Sequence, residues 1–433
     1  MHERCQSPLA DAAASRFPTT DVRILIINAL ARRVGGAESY LAGVVPALRA
    51  RGHDVALAFR HDGPVDRAPL PFADAARFDF GASPGSATRE ARAWRPDVVF
   101  AHGIEQGLVV AALRGAAPVV QFVHDYVGSC ISGTKTHQSI PRPCGRPLGW
   151  GCLAHYYPHR CGGLDPRTMW RDFGRQRRLR EHLRRADAVI VASSHMAREM
   201  AREGLDPGRV HQPTMFVPAV ERAAASGPPL RREPSESARL LFAGRMDAIK
   251  GGELLVEALP RVAAPLARPV ELTLLGDGPA RARWELAATR VAASTPSVTI
   301  GFPGWEPDFA GRLARTDLLV VPSVWPEPFG MVGPEAGAHG VPAAAFAVGG
   351  IPDWLTDGEN GHLAPGDRPA AAPLAEAIVS ALADRAHHAA LGDGARRLAQ
   401  RFRLAGHVDA VERILRSVVG DGAGRETDRP LAR

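Results

Sequence analysis

The stretch PEPFGMVGPEAGAHGVP, residues 326–342, sets two carboxylates, Glu327 and Glu335, eight positions apart with no other charge between them. Ionised carboxylates only accept hydrogen bonds, so each suits a vicinal pair of hydroxyls. Glu327 falls in a proline-rich loop and Glu335 about a turn inside a helix-like run that Gly330 opens. That layout presents the backbone N–H groups of Gly330 to Gly333 to a sugar or a phosphate between the two acids. A helix-start acid followed by an ordinary surface glutamate fits the same spacing.

Three further stretches carry candidate chemistry. AGRMDAIKGGELLVEAL holds Arg245 and Lys250 just ahead of a glycine pair. Arg offers a planar fork to phosphate oxygens and Lys a compact charge, so together they could neutralise a diphosphate leaving group without a metal. Two solvated surface cations are the alternative. ARRVGGAESYL places Gly35 and Gly36 at the start of a helix, where bare backbone can approach a ligand or simply make a tight turn. VVQFVHDYVG ends an apolar run on His124, a proton carrier or a structural hydrogen-bonding group. LLGDGPARARWE resembles a dinucleotide fingerprint only superficially, because Arg281 stands where the third glycine belongs.

The elements around these residues follow from hydrophobic patterning. Continuous apolar runs at 22–28, 53–59, 96–103, 118–125 and 186–194 precede a second series at 238–245, 270–278, 297–302, 318–323 and 341–350. Runs apolar on both faces, separated by helical stretches, predict parallel strands in α/β layers. Residues 217–237, rich in Pro, Ser and charge, divide the series, so we expect two doubly wound domains, 21–218 and 238–418, joined by a linker at 219–237. Tails are expected at 1–20 and 419–433. Ligands of such sheets bind beyond the strand carboxyl ends, and two sheets facing each other make a cleft there.

A length of 433 residues suits two domains, and 45% hydrophobic with 23% charged residues describes a globular chain. The net charge of +7 is spread among many acids, which gives a nucleic-acid role little support. No apolar run is long enough for a transmembrane helix, and VRILIINAL leads into a glycine turn instead of a cleavage site. The expectation is a cytoplasmic protein with reduced thiols.

Taken in order, GGAES, HD, VASSHMAREM, GRMDAIKGG, LLGDGP and the long segment from PEPFG to ENGHL resemble the retaining GT-B glycosyltransferases, in particular glycosyltransferase family 4. The resemblance implies two Rossmann-like domains, a C-terminal one for a nucleotide-diphosphate sugar and an N-terminal one for the acceptor. It implies that Arg245 and Lys250 contact the diphosphate and that Glu335 accepts from the ribose hydroxyls. Glu327 would bind the donor sugar, helped by backbone amides of Phe329, Gly330, Met331 and Val332. Gly35 and Gly36 would lie against the diphosphate from the other domain, His124 near the sugar's reacting side, and the backbone of Phe302 near the base. Transfer to a glycan, lipid-linked or small-molecule hydroxyl with retained configuration follows, with no cofactor required. The chain contains no D-x-D triplet, which argues against a metal-dependent GT-A enzyme. The alternative is a glycosyltransferase-like subunit that binds nucleotide or glycan without turnover.

Two segments stand outside that pattern. The loop at 125–163 carries Cys130, Cys144, Cys152 and Cys161, with His137, His155 and His159. Structural zinc, disulfides and free thiols all remain open, since no C-x2-C pair is present. Because the loop leaves the acceptor side beside the cleft, it is expected to shape acceptor binding. Next, WRDFGRQRRLREHLRRAD at 170–187 has seven arginines interleaved with Trp170, Phe173, Leu179 and Leu183. It reads as a surface for an anionic membrane on the inner face, a site for a phosphate-bearing acceptor, or a solvated helix face.

Overall fold

The computed structural model describes residues 21–103, 107–137, 139, 142–225 and 235–425. The expected tail at 1–20 and residues 426–433 of the tail expected at 419–433 lie outside the described residues.

In chain order the strands are β1 (Arg23–Ile27), β2 (Asp54–Phe59), β3 (Arg77–Asp79), β4 (Val98–His102), β5 (Val119–Val123), β6 (Thr136–His137), β7 (Arg142–Pro143), β8 (Ala188–Val191) and β9 (Val210–His211). They continue as β10 (Ala238–Ala243), β11 (Val270–Leu275), β12 (Val298–Gly304), β13 (Leu318–Val321), β14 (Ala343–Phe346) and β15 (Gly361–Ala364). One sheet runs β3-β2-β1-β4-β5-β8-β9 and the other β12-β11-β10-β13-β14-β15, with every pairing parallel. β6 and β7 form a separate antiparallel hairpin inside the cysteine-bearing loop. Each apolar run expected as a strand is one, so the α/β reading holds.

Both-face burial explains the apolar runs. In β1, Ile24 and Ile26 enter one hydrophobic cluster while Leu25 and Ile27 enter another on the opposite face. Strand order reverses between β1 and β4 in the first sheet and between β10 and β13 in the second. The carboxyl ends flanking those reversals are where doubly wound sheets leave a crevice. Gly251, just after β10, takes φ +69, and a side chain there would meet the Pro322 carbonyl beyond β13. The glycine pair after Lys250 is thus required by packing at the reversal, whatever ligand it faces.

Two boundaries depart from expectation. The segment 219–237 is not linker from its start, because Pro218–Ala225 is a helix; residues 226–234 lie outside the described residues. The final helix, Leu404–Arg425, runs past 418 and crosses to the first sheet. Val408, Val411, Leu415 and Val418 recur at helical spacing and are buried. Tyr40 of the helix Gly36–Ala50 bonds His407 at 2.7 Å, and Arg51 pairs with Asp409 at 2.5 Å and Glu412 at 2.7 Å.

Candidate functional site

Beyond β10 the chain reaches Arg245, whose guanidinium is largely exposed and pairs with Asp247 at 2.8 Å. Asp247 also caps the short helical turn Ala248–Lys250, so it fixes the loop and orients the cation together. Lys250 does not stand free. Its Nζ meets Glu327 Oε1 at 2.6 Å and lies 4.6 Å from the centroid of the Trp325 ring. Lys250, expected at a diphosphate, and Glu327, expected at a sugar, thus stand together as one ion pair. Local sequence hides this, because the partners sit on successive sides of the β10–β13 reversal.

Gly330, with φ +91, and Gly333 lie against Trp354, whose Nε1 donates to the Phe329 carbonyl at 2.7 Å. These glycines admit the indole and fix the turn leading into the helix Val332–Ala338. Of the amides expected to face a ligand, that of Gly333 already donates to the Gly330 carbonyl at 3.2 Å. Phe329 itself is buried and packs on Phe402. Glu335 is half-buried, 3.6 Å from Arg222. Burial pushes its carboxyl above the ordinary range, while Arg222 pulls it back.

A cavity of about 590 Å³ opens at this end of the sheet, lined by Arg245, Gly276, Asp277, Trp305, Phe309 and Glu335 among others. Phe302 is not on its wall, and the Phe302 carbonyl is engaged by Arg281 Nη2 at 2.9 Å. The wall beyond β12 is instead Trp305, an exposed indole that the sequence reading passed over. Its signal was available: a lone Trp directly after a strand in VTIGFPGW.

From the first sheet, Gly36 comes up against Met331, so closely that an added side chain would meet the Met331 methyl at 3.3 Å. Gly35 donates its amide to Glu38, whose other oxygen accepts from Asn28. This glycine loop therefore abuts the 329–332 turn from across the cleft. His124 follows β5, and its Nε2 contacts His102 Nδ1 at 3.0 Å. Burial holds His124 down at about 4, so the imidazole is neutral at neutral pH. Two residues on, the Tyr126 hydroxyl donates to the Pro326 carbonyl, which brings the His124 segment to the Glu327 loop. Ser194 of the first unit also donates to Asp353 of the second, from its amide at 2.6 Å and its hydroxyl at 2.5 Å.

The arginine-rich segment lies in the helix Pro166–Arg184. Phe173, Leu179 and Leu183 point inward and are buried, whereas Trp170 is exposed beside exposed Trp150. The apolar stripe is thus spent on the protein's own core, and only the outer face is left for a partner.

The fold is the two-domain α/β arrangement of the GT-B class. Residues 34–212 match the family described as Glycosyltransferase Family 4, and residues 237–384 that described as Glycosyl transferases group 1. The chain belongs to this family of glycosyltransferases. It is 32% identical over 230 residues to D-inositol 3-phosphate glycosyltransferase of Xylanimonas cellulosilytica, covering 50% of this chain and 54% of that protein. The chain thus spans about half the length of that relative. It is 28% identical over 397 residues to glycogen synthase of Mycobacterium tuberculosis, covering 82% of this chain and 84% of that one. Among solved structures, sucrose-phosphate synthase from Thermosynechococcus elongatus superposes with TM-score 0.64 at 21% identity, covering 92% of this chain and all (100%) of that one. Anabaena HepE in complex with UDP superposes with TM-score 0.62 at 20% identity, covering 93% and 100%. At those identities the likeness speaks for the fold.

Proposed function

We propose that the chain transfers a glycosyl group from a nucleoside-diphosphate sugar to an acceptor hydroxyl, with retained configuration and without a metal. The observation that carries the reading is the cavity at the β10–β13 reversal, where Arg245 and Glu335 share a wall; the Lys250–Glu327 pair joins the loops that follow β10 and β13 but does not line it. Glu335 accepts from the ribose hydroxyls, Trp305 offers its face to the base, and Arg245 takes the diphosphate. As the glycosidic bond breaks, positive charge grows on the sugar ring and negative charge on the leaving diphosphate. Lys250 then shifts its attraction toward the diphosphate, and Glu327 is left to hold sugar hydroxyls near the cationic ring. The positive charge on Arg245 and Lys250 is what makes the reaction independent of a metal. Neutral His124 stands on the opposite wall as a hydrogen-bonding group for the sugar.

The proposed acceptor unit is 21–218 completed by the final helix, and the donor unit begins at 238. Among the described residues no helix is long and apolar enough to cross a membrane. We place the protein in the cytoplasm, and contact with an anionic membrane would fall to the exposed arginines and Trp170 of Pro166–Arg184, with Trp150 beside them. A glycan, lipid-linked or small-molecule acceptor remains the proposed second substrate.

The test is a thermal-shift panel of UDP-, GDP-, ADP- and TDP-sugars followed by donor-hydrolysis assays. A stabilising donor raises the melting temperature by mass action. Glu327→Gln and Arg245→Ala are expected to keep the fold and lose turnover. Hydrolysis unchanged in both variants would remove the assignment, and binding without turnover in the parent chain would leave a non-catalytic subunit.

A further inference from the structure

The loop at 125–163 has little regular structure beyond the β6–β7 hairpin and the turn of helix Gly151–Ala154, yet it holds a defined interior. Ile131, Leu148, Tyr156, Met169 and Phe173 form a small cluster against which Cys152 and Cys161 pack. Five apolar side chains are a thin core for so long a loop. Beside that cluster, Cys130, Cys144, Cys152 and Cys161 all line one small cavity of about 20 Å³, although they are far apart in the loop.

We propose that Cys130, Cys144, Cys152 and Cys161 bind one zinc ion as a tetrahedral four-thiolate site that braces this loop. The surroundings suit such a centre. Four thiolates around one divalent ion carry a net charge of about −2, and Arg146 lines the same cavity, whereas Lys135, also on its wall, is already paired with Glu199 and Glu203. The Lys135 amide donates to Cys130 Sγ at 3.4 Å, and the Ser132 hydroxyl lies 3.3 Å from it, as donors to a metal-bound sulfur do. His137, buried on the cavity wall, has a ring nitrogen, Nδ1, with no hydrogen-bond partner and so adds an uncommitted polar group beside the sulfurs. Among the described residues no three His, Cys, Asp or Glu side chains already converge as a ligand set. Closure needs the thiols to turn inward about their Cα–Cβ bonds. The Cys152 and Cys161 thiols now donate weakly, to Pro147 and His155 carbonyls at 3.7 and 3.9 Å, and zinc would replace those protons.

The consequence reaches the cleft. Cys130 and Tyr126 belong to one buried cluster, and Tyr126 holds the Pro326 carbonyl next to Glu327. The metal would therefore fix the wall that meets the donor loop.

Elemental analysis of the full chain, purified without chelator, is expected to find about one zinc per chain. Exchange with cobalt(II) is expected to give the near-ultraviolet thiolate-to-cobalt charge-transfer band of a four-sulfur site. Cys144→Ser and Cys161→Ser are expected to lose both the zinc and that band. Substoichiometric zinc after growth in zinc-supplemented medium, with no charge-transfer band, overturns the proposal. So does an intact mass under non-reducing conditions that shows the four cysteines paired as disulfides. If the serine variants do not fold, the parent chain's cobalt spectrum decides alone.

Discussion

At the carboxyl end of the second sheet, the charged groups of the site stand beside partners of opposite sign: Lys250 with Glu327, Arg245 with Asp247, Arg222 with Glu335. Across the cleft, at the carboxyl end of the first sheet, Tyr40, His102, His124 and His407 touch through their rings and carry no charge at neutral pH. His407 gives its Nδ1 proton to the Thr214 carbonyl, so its Nε2 accepts from the Tyr40 hydroxyl. One wall is a set of pre-oriented charges, and the other is backed by a buried neutral ring cluster of which only His124 is partly exposed. A neutral wall does not compete for the cations that a diphosphate needs, and charges held in place beforehand require little reorganisation during reaction.

Breaking the charged wall has the largest expected effect. Lys250→Ala removes a phosphate-side cation and strands Glu327, so turnover should fall by about 100- to 1,000-fold in steady-state transfer. A loss under tenfold would mean that the pair is structural.

The neutral wall is tested by pH. Burial holds His407 at about 4 in the folded chain, against an ordinary value of 6.5. The unfolded chain therefore binds more protons between those values, and stability falls as pH drops from 6.5 towards 4. The shift corresponds to about 3 kcal/mol at 1.36 kcal/mol per unit. Thermal melts from pH 7 to pH 4 should show the decline, and His407→Gln should make it shallower while the share of His102 and His124 remains. His124, held equally low, should leave the rate profile without a limb of its own between pH 5 and 8.

Glu335→Gln sharpens the division inside the charged wall. A hydrogen bond to a charged group is worth about 1.5–3 kcal/mol, so KM for the donor should rise about 10- to 100-fold with kcat less changed. The smallest effect belongs to the contact between the walls. Asp353→Asn weakens its bonds to Ser194, and a stability loss of about 1 kcal/mol in chemical denaturation is expected.

The strands, their reversal points and the loops that end at them were legible because burial on both faces writes itself as uninterrupted apolar runs. β3, β9 and β15 were not, being short edge strands with mixed burial. The residue types of the site were legible and their partnerships were not. Lys250 and Glu327 are 77 positions apart, and only the β10–β13 adjacency joins them. Trp305 and not Phe302 reaches the cavity wall because strand β12 runs on to Gly304, two residues beyond the expected end. The inward stripe of the arginine-rich helix could equally have faced outward, since periodicity gives a face and not its neighbour.

The crossing of Leu404–Arg425 onto the first sheet bears on synthesis as much as on shape. Tyr40 and Arg51, made early on the ribosome, wait for His407, Asp409 and Glu412 before their partners exist. The first α/β layer emerges long before the helix that covers it, so its outer surface stays sticky while the second is translated. Expressing residues 21–218 alone should yield a fragment that aggregates or recruits chaperones, whereas supplying 404–425 in trans should rescue its solubility.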